Sequence, residues 1–177
     1  LSAWAYAKAQ GIEEKLTTVC PGLVLGPDTY HNGGASLGLL KAMLEGEFPM
    51  TPKIAFPIVD IRDCASIHVA AMTAKSTGGR RLMAAGKTYW LSEVADILRE
   101  AYPKAKKLPK SEMPNFMVKL VALFDDRVKS VLPDLGIFHE ADAAYVTSLT
   151  GVVPRPSKEA ILRAAESLIE HGDVTAI

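Results

Sequence analysis

The sequence predicts an α/β fold, and three observations carry that prediction. Residues 16–20 (LTTVC) form a β-branched apolar run of strand length, stopped by Pro21-Gly22 and, after LVL, stopped again by Gly26-Pro27. Residues 54–61 form a second strand-like run that passes directly into an alanine-rich helical stretch. After residue 91 amphipathic helical patterns dominate, so strands alternate with helices early and helices take over late. A strand that ends abruptly in a small-residue loop is how open α/β sheets build a ligand crevice at their carboxyl edge. The stretch LTTVCPGLVLGP is therefore expected to border a site.

Composition narrows the partners. The 177 residues are 49% hydrophobic and 23% charged, which fits a folded domain and argues against disorder. Twenty basic residues balance twenty acidic ones, so nucleic-acid binding lacks its main electrostatic drive. No apolar run approaches the roughly 20 residues of a membrane helix, and no secretory signal precedes the first helical stretch. Two cysteines, Cys20 in a strand and Cys64 in a helix, read as inert thiols in a reducing cytoplasm. The chain opens on Leu1 inside a helical pattern, without a cap, and reads as a fragment of a longer protein.

Taken in order, residues 1–10 (LSAWAYAKAQ) predict a helix stopped by Gly11, with Trp4 as a packing residue. Residues 30–35 form a connector, with a turn at Asn32-Gly33-Gly34. Ser36 is expected to cap a helix that places Leu37, Leu40 and Leu44 on one face and ends at Gly46. Residues 48–53, with Pro49 and Pro52, predict an irregular surface loop. In the strand at 54–61, Pro57 implies an edge position or a split. Asp63 is expected to cap the helix that runs to about Met72, and Asp60 to hold loop amides. After a turn at Gly78-Gly79, residues 80–84 form a short strand. Ser92 caps the next helix, whose apolar face is Leu91, Val94, Ala95 and Leu98. The lysine-rich residues 103–114 read as a solvated loop. Residues 115–124 are apolar nearly all round and predict a largely buried helix, extended by residues 126–132 up to Pro133. A short helix spans residues 140–149. Ser157 caps the last, with Ile161, Leu162, Ala165, Leu168 and Ile169 inward and Gly172 as its stop.

Five stretches, in this order, resemble the extended short-chain dehydrogenases/reductases of the NAD-dependent epimerase/dehydratase family, in particular the dihydroflavonol-reductase-like branch. They are TVCPGLVLGP, LLKAMLEGEFP, FPIVDIRDCASIHVAAM, LSEVADILREAYP and LTGVVPRPSKEAILRAAESLIEHG. The resemblance covers nearly the whole chain but only the C-terminal half of the family's pattern. It implies the C-terminal part of a Rossmann-type nucleotide-binding sheet plus a smaller, mainly helical substrate lobe. Residues 1–35 and 58–86 would belong to the NAD(P)-binding domain, and residues 36–57 and 87–177 to the substrate lobe. It further implies that Pro21, Gly22, Leu23 and Val24 line the nicotinamide end of an NAD(P) site, and that Ser36 matches a serine of the substrate region. The first helix resembles the family's dimer-forming helix. A homodimer, or association with an N-terminal half, follows as the expected partner besides a small-molecule substrate.

The family's chemistry needs three pieces. A glycine-rich turn at a helix start holds the pyrophosphate, a tyrosine supplies the proton, and a lysine four residues on lowers that tyrosine's pKa. No glycine-rich turn of the required spacing occurs here, and the resemblance places the tyrosine and lysine upstream of Leu1. The Tyr-x-x-x-Lys spacing does occur at Tyr102 and Lys106, but Pro103 at a helix end removes the helical geometry that makes it useful. Arg62 offers several donors to a cofactor or substrate oxygen, with a structural ion pair as the competing role. His68 reads as a satisfied packing histidine, and Arg155 as structural. No His, Cys, Asp or Glu cluster has metal-ligand spacing, so no metal is expected. The chain on its own should therefore be inactive and hold NAD(P) weakly, within a parent that acts on a small carbonyl or hydroxyl substrate. The competing expectation is a non-catalytic, nucleotide-sensing or protein-interaction relative of the same fold.

Overall fold

The computed structural model describes residues 2–29 and 34–175; Leu1 and the connector residues Tyr30, His31, Asn32 and Gly33 lie outside the described residues. Helix α1 (Ser2–Ala9) forms from the alanine-rich opening, and Gly11, at φ 62°, turns the chain out of it. A 3-10 turn, Glu13–Lys15, leads to β1 (Thr18–Pro21) and β2 (Leu23–Leu25). There follow α2 (Ala35–Glu45), β3 (Thr51–Pro52), β4 (Ala55–Asp60), α3 (Ile61–Thr73), β5 (Arg81–Ala84) and β6 (Thr88–Trp90). The remainder is α4 (Leu91–Ala101), β7 (Glu112–Met113), α5 (Asn115–Val121), α6 (Asp126–Ser130), α7 (Ala143–Thr150) and α8 (Ser157–Glu170). The α/β class is as expected. Among the described residues no helix is long and apolar enough to cross a membrane.

The strands form three small sheets. β1 pairs parallel with β5, β3 pairs parallel with β7, and β4 sits between β2, parallel to it, and β6, antiparallel to it. Pro21-Gly22 was expected to end a buried strand at residues 16–20. Instead the strand starts at Thr18, is half-buried, and carries Pro21 in register with Ala84. The Gly22 N–H continues that ladder to the Ala84 carbonyl at 3.0 Å, and the next residue already belongs to the other sheet. Pro21-Gly22 is thus a handover between sheets. Of the two expectations for Pro57, an edge position or a split, it is the split that occurs, because β4 runs on but changes partner there. Residues Ala55, Phe56 and Pro57 pair with β6, and Ile58, Val59 and Asp60 pair with β2. The proline stands where one ladder gives way to the other, a place that tolerates a missing N–H. Residues 48–53 are also more ordered than expected, since Thr51 and Pro52 form β3 against β7.

One core, built from α2, α4 and α8 against β2 and β4, centres on Met43, Leu44, Ile58, Leu98 and Ile161. The expected faces of α4 and α8 hold: Leu91, Val94, Ala95 and Leu98 are buried, as are Ile161, Ala165 and Leu168. A smaller cluster, Ile67, Leu82, Ala84 and Val146, joins α3, β5 and α7. Trp4 is half-buried on α1, where Ala7 is the buried residue. The all-apolar stretch 115–124 departs most from expectation. Only Val118 and Ala122 are buried, whereas Phe116, Leu120, Leu123 and Phe124 are 58–87% exposed. The helix stops at Val121 and α6 is a separate helix, so the neighbouring elements cover one side only.

Four predicted caps fall inside their helices. The N-caps of α2, α3, α4 and α8 are Gly34, Asp60, Trp90 and Pro156, not Ser36, Asp63, Ser92 and Ser157. Tertiary partners account for three of these side chains. Ser92 donates to Glu112, Ser157 Oγ donates to the Ile58 carbonyl at 2.8 Å, and Asp63 receives the Arg155 N–H at 2.6 Å and pairs with its guanidinium. The last two bonds clasp the entry of α8 onto the β4–α3 junction, where the Gly86 N–H also meets the Ile58 carbonyl. Asp60 takes over the cap, accepting the Arg62 N–H at 2.9 Å. Burial opposes its charge, but the hydrogen bonds from Arg62 and the charges of Arg62 and Arg155 outweigh burial and hold its carboxyl below the usual value.

Two outcomes follow. A Cβ at Gly22 would lie 2.2 Å from the Pro57 carbonyl oxygen, so the strands have no room for a side chain there. Gly22→Val is therefore expected to lower the unfolding free energy by about 1–3 kcal/mol or more in denaturant titration. An unchanged midpoint would mean that the sheets can part at this point. For Asp60, a lowered folded pKa means that the unfolded chain takes up its proton first as pH falls. The stabilisation is complete above the unfolded value of about 3.9 and is lost as pH drops through the folded value. In thermal melts between neutrality and strong acid, Asp60→Asn should lower stability at pH 7 by about 2 kcal/mol and flatten the acid limb below about pH 4. An acid limb of undiminished steepness in the variant would assign the titration to other groups.

Candidate functional site

The parallel strands β2 and β4 finish side by side, Leu25 in register with Asp60, and a cavity of about 520 Å³ opens beyond their carboxyl ends. Its walls come from the end of β2 and the following loop (Val24, Leu25, Gly26, Pro27, Asp28, Thr29), the start of α2 (Gly34, Ser36, Leu37) and the start of α3 (Ile61, Arg62, Ala65). The chain can turn so sharply after β2 because Gly26 adopts φ 134°, with Ile61 Cγ2 3.0 Å from where a Cβ would stand. Since α3 begins on the residue after β4, its amide-rich end faces the same region.

Most of the wall is apolar: Val24, Leu25, Pro27, Leu37 and Ile61. The polar groups are few, namely Ser36, Thr29, Asp28 and Arg62. Arg62 grips both oxygens of buried Asp60, through Nε at 2.8 Å and Nη2 at 2.7 Å, and reaches Glu159 of α8 at 3.0 Å. Hydrogen bonds to Asp60, then to Glu159, raise its pKa further. Such an arrangement suits a flat, largely apolar ring or small carbonyl compound with a polar edge.

Of the residues singled out from sequence, the structure gathers Val24, Ser36 and Arg62 around the cavity; Pro21, Gly22 and Leu23 are not part of its wall. Pro21 is exposed at the end of β1, Gly22 is packed on Pro57, and Leu23 packs against the main core. The smallness of Gly22 is thus explained by strand packing. Reading the sequence expected the stretch through Pro27 to border a site without singling out Leu25, Gly26 or Pro27, and it missed Leu37 and Ile61. The Gly26-Pro27 break was the signal for the first three. Glu159, 97 positions from its partner Arg62, carried none.

Other reactive side chains stand apart. Tyr102 lies just past the end of α4, at φ −124°, beside a separate cleft shared with Glu159, Arg163 and Glu166. Burial, then the charges of Glu166 and Glu170, push its pKa up, the opposite of what a catalytic tyrosine–lysine pair requires. Both cysteines are free, and burial raises the Cys64 thiol. His68 is exposed rather than packed, its Nδ1 2.7 Å from the Cys64 carbonyl oxygen. Among the described residues no three His, Cys, Asp or Glu side chains gather to hold a metal. The cavity fits the ring end of a nicotinamide cofactor. Gly22, closed by Pro57, offers no backbone approach to a ligand.

No family model matches the chain. Two curated proteins of Saccharomyces cerevisiae do. An uncharacterized oxidoreductase is 28% identical over 115 residues, 60% of this chain and 33% of the relative. An NADPH-dependent methylglyoxal reductase is 26% identical over 113 residues, 59% and 33% respectively. Among solved structures, the yeast methylglyoxal/isovaleraldehyde reductase complexed with NADPH superposes with TM-score 0.70 at 22% identity, covering 98% of this chain and 49% of that one. A nucleoside-diphosphate-sugar epimerase from Pseudomonas aeruginosa gives 0.70 at 18% identity, covering 97% and 55%. Vestitone reductase from alfalfa gives 0.66 at 14% identity, covering 97% and 49%. The chain spans about a third of the length of the curated relatives it matches and about half of these solved chains. In sequence and in fold it is similar to reductases of the extended short-chain, NAD-dependent-epimerase type.

Proposed function

We propose that this chain is the C-terminal part of an NAD(P)-dependent oxidoreductase that reduces a small carbonyl compound or oxidises the corresponding alcohol. The observation that carries the reading is the apolar cavity at the carboxyl ends of β2 and β4, in a chain whose sequence relatives include an NADPH-dependent methylglyoxal reductase. Val24, Pro27, Leu37 and Ile61 exclude water from the reacting atoms, Ser36 offers a hydroxyl to a substrate oxygen, and Arg62 offers donors to cofactor or substrate. Pro21, Gly22 and Leu23 support this wall from behind. The nicotinamide supplies the hydride when bound, and residues upstream of Leu1 hold the phosphates and the acid. On this reading the chain alone binds NAD(P) weakly.

The division into an NAD(P)-binding part (1–35, 58–86) and a substrate lobe (36–57, 87–177) is supported by β1 and β5 forming a sheet apart from β6. A homodimer, or association with an N-terminal half, is supported by the unpaired outer edge of β1 and by exposed Tyr6 on α1. The free thiols fit a reducing cytoplasm. One observation favours a second reading, a non-catalytic relative of the same fold: the 177 residues hold neither a glycine-rich turn nor a usable tyrosine–lysine pair.

Kinetics separate the two. NADPH consumption with methylglyoxal, 3-methylbutanal and aromatic ketones should be absent for the chain alone and present for a polypeptide that includes the upstream residues. In that longer polypeptide, Leu37→Trp should lower kcat/KM about tenfold or more by filling the cavity. No NADPH binding and no turnover in the longer polypeptide would establish the non-catalytic relative. Turnover by the chain alone, abolished by Tyr102→Phe, would move the acid to Tyr102.

A further inference from the structure

We infer that Glu159, on α8, is a positioning residue. It locks Arg62 at the cavity and makes the cavity selective for an uncharged oxygen acceptor, a carboxamide or carbonyl, over a carboxylate or phosphate. The inference rests on reading the cavity as the nicotinamide and carbonyl end of the site.

The donors decide it first. A guanidinium has five N–H groups. Arg62 commits Nε and one N–H of Nη2 to the two oxygens of Asp60, and Nη2 also reaches Glu159 at 3.0 Å. The two N–H groups of Nη1 are left on a side chain that lines the cavity and is 40% exposed. Three bonds to two carboxylates fix the plane of the fork, so a ligand meets donors already oriented. Glu159 can do this because its own place is fixed. Two and four residues before it, Ser157 is bonded to Ile58 and Arg155 to Asp63, so the first turn of α8 cannot drift from α3.

Charge then decides which acceptor is taken. Asp60 and Glu159 both bind Arg62, so two carboxylates face one guanidinium. The next cations outward, Arg155 and Arg163, are paired with Asp63 and Glu166 and add no net positive charge. An entering anion therefore meets a net negative surrounding, while a neutral carbonyl takes the Nη1 donors without that repulsion. Glu159 contributes one of these two charges from a different part of the sequence. It can be changed without touching the α3 cap.

Nicotinamide and nicotinate share a ring and differ in charge, so they serve as the probes. In a 15N-labelled polypeptide that includes the upstream residues, titration with nicotinamide should shift the amides of Val24 and Leu37 and the Arg62 Nε–H, with an affinity severalfold above that of nicotinate. Glu159→Gln keeps an acceptor for Nη2 but removes the charge. The nicotinamide-to-nicotinate preference should fall about three- to tenfold, with the unfolding midpoint nearly unchanged. Glu159→Ala should broaden the Arg62 Nε–H signal and weaken nicotinamide binding, and the Gln variant should restore it. A wild-type chain that binds nicotinate as well as nicotinamide, or a preference that Glu159→Gln leaves unmoved, overturns the inference while leaving the cavity as a ligand site. If neither compound shifts the cavity signals, the reading of the cavity falls and the inference falls with it.

Discussion

The junction between β4 and α3 is held from outside by the entry of α8, and the rest of the fold depends on that clasp. Within six residues the junction presents the Ile58 carbonyl, the Asp60 carboxylate, the Arg62 guanidinium and the Asp63 carboxylate. The α8 entry answers with the Ser157 hydroxyl, the Glu159 carboxylate and the Arg155 amide and guanidinium. Ile58, Asp60 and Asp63 are at most 4% exposed, so each polar group here would carry a desolvation cost if its partner were lost. That mutual dependence makes the clasp directional: α8 can start in one place only. From that start, its apolar face meets α4 and α2 across β4, and the main core forms.

A second close contact sets where the cavity lies. Gly22 passes against the Pro57 backbone, so the β1–β5 pair and the β2–β4–β6 sheet meet within one residue of each other. Because β2 starts immediately afterwards and runs parallel to β4, both strands finish at the same level. The sharp exit through Gly26 and the immediate start of α3 then leave space beyond both ends. The cavity is a consequence of strand length and register. Its chemistry comes from side chains that arrive on three separate segments.

Stability and function draw on the same charges in different ways. Asp60 is buried and caps a helix, so its carboxylate is a structural necessity. Arg62, half in solvent, neutralises it and faces the cavity as well. A charge that must be present for folding is thereby placed beside the ligand space. The exposed apolar side chains of α5 and the turn after it are a different case: Phe116, Leu120, Leu123 and Phe124 lie outside both cores. An apolar composition all round a helix reports how many sides could be buried, not how many neighbours this chain supplies.

Local pattern determined the α/β class, the faces of α4 and α8, the strand ends at LGP and the weakness of the Tyr102–Lys106 pair. Each of these follows from periodicity, turn residues or the geometry of proline, all of which act over a few positions. Family resemblance added the expectation of a nicotinamide-side wall at Pro21 to Val24 and of Ser36; Val24 and Ser36 line the cavity, as does Arg62, which its donors singled out, while Pro21, Gly22 and Leu23 do not. Tertiary structure alone decided the rest. Asp60 caps α3, and Asp63 instead meets an arginine 92 positions away, because the nearer carboxylate has the right backbone angles and the farther one has the partner. Pro57 marks the change of ladder along β4, as a proline signals, but which strands stand on either side no local signal records. Gly22 is small because a backbone carbonyl from another strand stands where its side chain would be, and Glu159 enters the site because α8 is clasped to α3. Contacts between distant segments have no periodicity, and a sequence read position by position carries none of them.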